Sequence, residues 1–140
     1  MAGFWSLFSY VQSLNPALPL ERLTKNEGLL VLPEMITVDS YGFAVRMENR
    51  PLKEAIDGVV NGLKQGEGYS EMQARWFPKK GNPAAMPDLP LNGDAGVLRL
   101  GTASVTEPFS FVDGSQQVVG FDIELARRVA QQQGKKLELV

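Results

Sequence analysis

The chain of 140 residues is 44% hydrophobic and 21% charged with a net charge of −2, the balance of a soluble globular protein made of one domain, or of pieces of two. It contains neither cysteine nor histidine, which excludes thiol nucleophiles, disulfides, imidazole bases and nearly every zinc or iron site. Scattered Lys and Arg, with no block of like charge, exclude a nucleic-acid footprint, and any catalysis would have to rest on carboxylates, Lys, Ser or Tyr.

No charged side chain precedes Glu21, yet the start lacks both the basic region and the small-x-small cleavage site of a signal peptide. Pro16 and Pro19 spoil the same stretch as a membrane span. An exported protein would carry its address elsewhere. Phe4, Leu7, Phe8, Val11 and Leu14 recur at helical spacing, which predicts a helix over residues 3–14 with its aromatic stripe in a core. "GLLVLPEM" and "YGFAVRM" are short apolar runs bounded by Gly, Pro and Asp-Ser, and predict two strands.

"RPLKEAIDGVVNGLKQG" places Leu52, Ile56, Val59 or Val60 and Leu63 on one helical face, with Pro51 in the first turn and Gly66 at the end. Gly58 and Gly62 cost this helix about 1 kcal/mol each relative to Ala, a cost that close helix packing would explain or that the helix merely tolerates. "YSEMQARWF" predicts a second, shorter helix anchored by Tyr69, Met72 and Trp76. The next stretch, with Pro78, Pro83, Pro87 and Pro90 and no period, reads as a semi-extended linker. Composition shifts on both sides of it. The expected organisation is residues 1–78, a Pro-rich linker at 79–96, and residues 97–140.

The last part opens with "VLRLGTASV", read as one strand ending in small hydroxyl residues. "EPFSFVDGSQQVVGFD" predicts a hairpin turning at Asp113-Gly114. A helix follows, with Asp122 as its N-cap, Glu124 complementing the positive helix end, and Ile123, Ala126, Val129 and Ala130 as its apolar face. Arg127 and Arg128 lie towards its negative end, Gly134 terminates it, and "KKLELV" resumes as strand. A β-hairpin-α-β unit of this kind opens a parallel sheet.

"LRLGTASVTEPFSFVDGSQQVVGFDIELARRVAQQQGKKLELV" resembles the N-terminal segment of the bacterial extracellular solute-binding proteins of family 3, the two-lobed periplasmic amino-acid-binding components of ABC transporters. The resemblance rests on the strand into Gly101-Thr102, the Pro108-Phe109-Ser110-Phe111 block, the Gly120-Phe121-Asp122-Ile123 block with Leu125-Ala126, and Gly134. "YGFAVRMENRPLKEAIDGVVNGLKQGEGYSEMQARWF" is similar to the C-terminal end of the same family, so the family's end precedes its beginning. A junction of two tandem solute-binding domains explains that order, with a permutation or a misread gene start as alternatives. Residues 1–78 would then be the C-terminal part of a first domain, and residues 97–140 the N-terminal part of a second.

The resemblance implies an α/β fold, a partial lobe of the type II periplasmic-binding-protein kind, in which residues 41–77 and 97–140 are fragments of equivalent lobes. They are expected to dock on each other, or to exchange between two chains as a domain-swapped dimer. It also implies periplasmic or extracellular location, an inner-membrane transporter permease as partner of the intact protein, no cofactor, no metal and no nucleic acid. The ligand would be a small polar solute such as an amino acid, held outside the carboxyl ends of the sheet strands. Thr102, Ser104 and Thr106, with Phe109 behind them, occupy the family's positions on this side of the site. Its carboxylate-clamping Arg and amine-binding Asp come from later segments, so the chain alone is expected to bind no solute with useful affinity.

Many relatives carry an acidic residue at the position of Ala103 and an aromatic one at that of Thr106, so the resemblance leaves the ligand open. The three hydroxyls would equally satisfy strand-end and turn backbone groups. Phe109 and Phe111 alternate, so one of them faces the core; Phe121, Trp76, Tyr69 and Tyr41 read as packing anchors. Glu107 is a lone carboxylate and weak material for acid-base chemistry. "GEG" lacks the Lys and the preceding strand of a phosphate cradle. Two further readings from the same resemblance are an extracellular ligand-sensing domain of a histidine kinase and a non-catalytic domain of a cell-wall lytic enzyme.

Overall fold

The computed structural model describes residues 5–7, 42–78 and 81–140. The strand expected in "GLLVLPEM" and the anchor expected at Tyr41 lie outside the described residues. The chain divides into two compact units, Met1–Lys53 with Phe77–Asn82, and Glu54–Trp76 with Pro83–Val140.

In the first unit, strand β1 (Trp5–Leu7) pairs antiparallel with β2 (Ala44–Arg46), Ser6 opposite Val45. This corrects the helix expected over residues 3–14 at Trp5–Leu7. Cross-strand pairing, a non-local contact, overrides the local helical spacing there; the rest of that stretch lies outside the described residues. Val45 is the buried side chain of β2. The chain leaves β2 through a turn closed by Asn49 N–H on the Arg46 carbonyl (2.9 Å), and Asn49 then caps helix α1 (Arg50–Gln65). Its Oδ1 accepts from Leu52 N–H at 3.3 Å, which satisfies a first-turn donor that Pro51 does not need.

Helix α1 buries none of its side chains fully; Leu52, Ile56, Val59, Val60 and Leu63 are half-buried along one face. Gly58 and Gly62 have open space around them, with nothing within 4 Å of where a Cβ would stand. Close packing therefore does not explain them, contrary to expectation.

The second unit is built around helix α3 (Phe121–Gln132), which buries Phe121, Ile123, Glu124, Leu125, Ala126, Val129 and Ala130. Helix α2 (Gly68–Trp76) lays Met72 and Trp76, both almost wholly buried, into the same core, and Tyr69 meets Phe121 edge-on at 6.3 Å. Within this unit, α2 therefore packs on α3. The Pro-rich stretch between them is extended and straps onto α3. Leu89 is buried, its carbonyl accepts from Arg127 Nη2, and the Pro90 carbonyl accepts from Gln131 Nε2, each at 3.3 Å.

Two small sheets flank α3. Strands β3 (Val97–Leu100) and β7 (Lys136–Leu139) pair in parallel, setting Leu98 against Leu137 and Leu100 against Leu139. These leucines are half-buried on one face, while Val97, Arg99, Lys136 and Glu138 alternate onto an exposed face. Strands β4 (Val105–Thr106), β5 (Ser110–Val112) and β6 (Val118–Val119) form an antiparallel sheet in that order.

The single strand expected from Val97 to Val105 is interrupted. Thr102 N–H still reaches the Val140 carbonyl at 3.2 Å, but the chain then turns, so that Val105 pairs with Phe111 instead of continuing beside β7. The hairpin turn is also longer than Asp113-Gly114. Val112 pairs with Val118, and the Asp113 carboxylate braces the intervening loop by accepting from Gln117 N–H, Ser115 N–H and Ser115 Oγ. These bonds, Gln117 first, hold the Asp113 carboxyl below its ordinary range. Helix α3 ends in a Schellman motif, with Lys135 N–H on the Ala130 carbonyl, Gly134 N–H on Gln131, and Gly134 in the left-handed region at φ 64°. The architecture is mixed α/β, with a parallel pair of strands and antiparallel sheets.

Candidate functional site

In an open α/β unit, small molecules meet the carboxyl ends of the parallel strands. Here that end is occupied by Thr102, half-buried and tied to Val140 by its backbone. Its Oγ1 shares a hydrogen bond with Ser110 Oγ at 2.8 Å, and Ser110 is only 3% exposed. Ser110 in turn stands opposite Thr106 in the β4–β5 register. The fold therefore gathers Thr102 and Thr106 on either side of the first residue of β5. Ser104 lies in the turn between them, half-buried, and Thr106 and its neighbour Val105 are exposed.

Phe109 is placed differently from the hydroxyls. Its ring is in the core, and its backbone builds the site: Phe109 N–H closes the turn on the Thr106 carbonyl, and its own carbonyl accepts from Asp122 N–H, both at 2.9 Å. The Pro108 carbonyl likewise accepts from Phe121 N–H at 2.9 Å. This docking of loop on helix end requires glycine at position 120, where φ is 133° and a Cβ would stand 2.2 Å from the Phe109 oxygen. The side chain of Phe111 is half-buried against Trp76, edge-on at 6.2 Å.

Those two loop carbonyls also overturn the expected cap. Helix α3 begins at Phe121 with Gly120 as its N-cap and no side-chain cap bond. The N–H groups of Phe121 and Asp122 are already satisfied by the Pro108 and Phe109 carbonyls, and Asp122 lies inside the first turn rather than before it. Burial pushes its carboxyl up to about 6.

Glu124 stands in the first turn of α3, as expected, and has a further role there. It is fully buried, and its carboxylate accepts from Arg75 Nη1 (2.9 Å), Trp76 Nε1 (2.7 Å), and Nε and Nη2 of Arg128 (3.1 and 2.7 Å). The sequence signal for this was available: Glu124 lies between Ile123 and Leu125 on a helix that is apolar on more than one side, and Arg128 follows at the i+4 spacing. Among the described residues, no group of three or more His, Cys, Asp or Glu side chains is placed to hold a metal ion, and no helix is long and apolar enough to cross a membrane.

Residues 98–140 match the family model of the bacterial extracellular solute-binding proteins, family 3. Over 40 residues the chain is 48% identical to the probable ABC transporter arginine-binding protein ArtJ of Chlamydia trachomatis serovar D, an overlap that covers 29% of this chain and 16% of the relative. The chain thus spans about a sixth of the length of that curated relative. No solved structure matches it. By this match, residues 98–140, which carry all but the first residue of β3 and all of β4 to β7, are similar to a segment of the family 3 extracellular solute-binding proteins.

Proposed function

We propose that residues 97–140 supply one wall of the solute site of a periplasmic or extracellular binding protein that serves ABC-type import. Its ligand is a small polar solute such as an amino acid, and the transporter permease is its membrane partner. Residues 1–78 are the closing part of a preceding domain of the same kind, joined through the strap at 79–96. The observation that carries the reading is the group of hydroxyls, Thr102, Ser104 and Thr106, at the carboxyl end of β3 within the span that matches the family. Phe109 contributes by holding the loop from behind.

The relative's name makes L-arginine the first probe. Titration of the isotopically labelled chain with L-arginine, then with other amino acids, is expected to shift the backbone amide resonances of Gly101–Thr106 with weak, saturable affinity. A half-site lacks the closing lobe that would tighten the grip. If none of these amino acids moves these resonances, the solute-binding reading of this wall is lost.

A further inference from the structure

We propose that the outer edge of β7 is an interface between two copies of this chain, which pair antiparallel about Leu137 to join their β3–β7 sheets into one. The inference is independent of the solute-binding reading above.

Strand β7 uses one of its two edges. Lys136 N–H reaches the Gly96 carbonyl and Val140 N–H the Leu100 carbonyl, both at 2.9 Å, so the backbone groups of residues 136, 138 and 140 turn towards β3. By the alternation of a paired strand, the N–H and C=O groups of Leu137 and Leu139 point the other way. Among the described elements, only β3 and α3 pack on β7, and no strand pairs with this second edge.

An open edge is a template for another strand, and its charged side chains decide which strand it admits. The run Lys136-Leu137-Glu138 complements itself in one register. Centred on Leu137, an antiparallel copy sets Leu137 opposite its own counterpart, where the two residues exchange both N–H···O bonds, and sets each Lys136 opposite the Glu138 of the other copy. Centring on Glu138 would oppose two carboxylates, and a slip of one residue would put leucines opposite charges. Glu138 already pairs with Arg99 across the sheet at 3.4 Å, so charges of alternating sign run from Arg99 through Glu138 to the second copy's Lys136. On the opposite face the half-buried Leu98 and Leu137 meet their counterparts in a continuous apolar row. The edge of β3 lacks this match, because that strand carries Arg99 and no carboxylate to answer it. The pairing is two-fold and closes as a dimer.

A single strand pair buries little area, so the association is weak, and sedimentation equilibrium of the whole chain over a concentration series reaching the millimolar range reads it. The parent is expected to show a monomer–dimer equilibrium, with amide exchange at Leu137 and Leu139 slowing as the dimer forms. Lys136→Glu and Glu138→Lys change exposed side chains, and each sets like charges face to face. Each should weaken self-association about tenfold or more. An equimolar mixture of the two variants places Lys opposite Glu in both pairs again and should associate as the parent does.

A parent that stays monomeric throughout the series overturns the proposal. Self-association of both variants at parent strength overturns it too, and points to a domain-swapped dimer or another surface. So does a mixture that pairs no better than its components, or a dimerising parent whose Leu137 amide exchanges unchanged. Growth beyond the dimer replaces this interface with an open-ended contact of β7 on the β3 edge.

Discussion

Trp76 Nε1 donates a 2.7 Å hydrogen bond to Glu124 Oε2, joining side chains 48 residues apart at the centre of the larger unit. Arg75 and Arg128 converge on the same carboxylate, and their side chains, 21% and 23% exposed, keep one edge in water while Glu124 keeps none. The asymmetry sets the cost of losing each partner. Removing the carboxylate strands two guanidinium groups over a buried hole; removing one donor leaves the others to hold the charge. Glu124→Ala is expected to destabilise the chain by about 3–5 kcal/mol, and Trp76→Phe by about 1–3 kcal/mol. Urea melts followed by tryptophan fluorescence, with Trp5 retained as reporter in the second variant, measure both. A Glu124→Ala cost near zero would mean that α2 does not dock on α3 through this cluster.

The cross-strand pair Arg99–Glu138 is the contrasting case. It is longer at 3.4 Å, and its partners are 72% and 46% exposed. Solvent and salt screen such a pair, and ordering two long side chains offsets what attraction remains. Arg99→Ala should change stability by less than about 0.5 kcal/mol, with little difference between low and high salt. A loss comparable to that of Glu124→Ala would show that the polar face of β3 and β7 is covered.

Gly58 and Gly62 offer a gain in stability. Both lie inside α1, and a methyl group at either would meet no atom within 4 Å. The alanine substitution then acts through backbone entropy alone, worth about 1 kcal/mol at each site. The two positions are one helical turn apart without sharing a neighbour, so the gains should add. Thermal melts of the single and double alanine variants check this; a fall in melting temperature would reveal a partner for this helix face.

Gly120 is the opposite case among the glycines. Its left-handed φ and the Phe109 oxygen 2.2 Å from a built Cβ leave no relaxed position for a side chain. Gly120→Ala must either push the Pro108–Phe109 carbonyls off the α3 N-terminus or distort the helix start, at a cost of about 2–4 kcal/mol. The amide protons of Phe121 and Asp122, which those carbonyls accept, should lose protection from hydrogen exchange first. Unchanged protection would count against this account of the Gly-Phe-Asp-Ile block.

Much of this arrangement was legible in the residues. The alternation of Leu98 and Leu100, and of Leu137 and Leu139, marks two half-buried strands, and Ile123, Ala126, Val129 and Ala130 mark α3. Met72 and Trp76 could be read as anchors, though not what they anchor to. Glu124 in the first turn has a sufficient local explanation in the helix dipole, and its burial was not legible because two of its donors, Arg75 Nη1 and Trp76 Nε1, reach it only when α2 packs on α3. Asp122 was misread for a related reason: backbone carbonyls from Pro108 and Phe109 do the capping, and no side-chain pattern announces them. Within the candidate site, Thr102, Ser104 and Thr106 stand out in the residues as small hydroxyls at a strand end. Ser110 was hidden inside the Phe-Ser-Phe run, where only the fold shows that the small polar residue, and not Phe111, is the deeply buried one.

Asp122 carries a pH signature. Burial raises its carboxyl from an ordinary value of 3.8 to about 6 in the folded chain, so the folded state binds the proton more tightly than the unfolded state does. Its contribution is therefore fully present below pH 4 and is lost as pH rises from about 4 through about 6; above that, the folded state bears the cost of a half-buried charge. The cost is on the order of 2 kcal/mol at neutral pH, after allowing for the solvent that still reaches the group. Asp122→Asn keeps the shape and removes the charge. It should raise stability at pH 7 by about that amount, leave stability near pH 4 unchanged, and flatten the decline between the two. Urea midpoints of parent and variant across this range provide the check. A variant less stable than the parent at pH 7 would mean that the ionised carboxylate has a partner worth more than the desolvation it suffers.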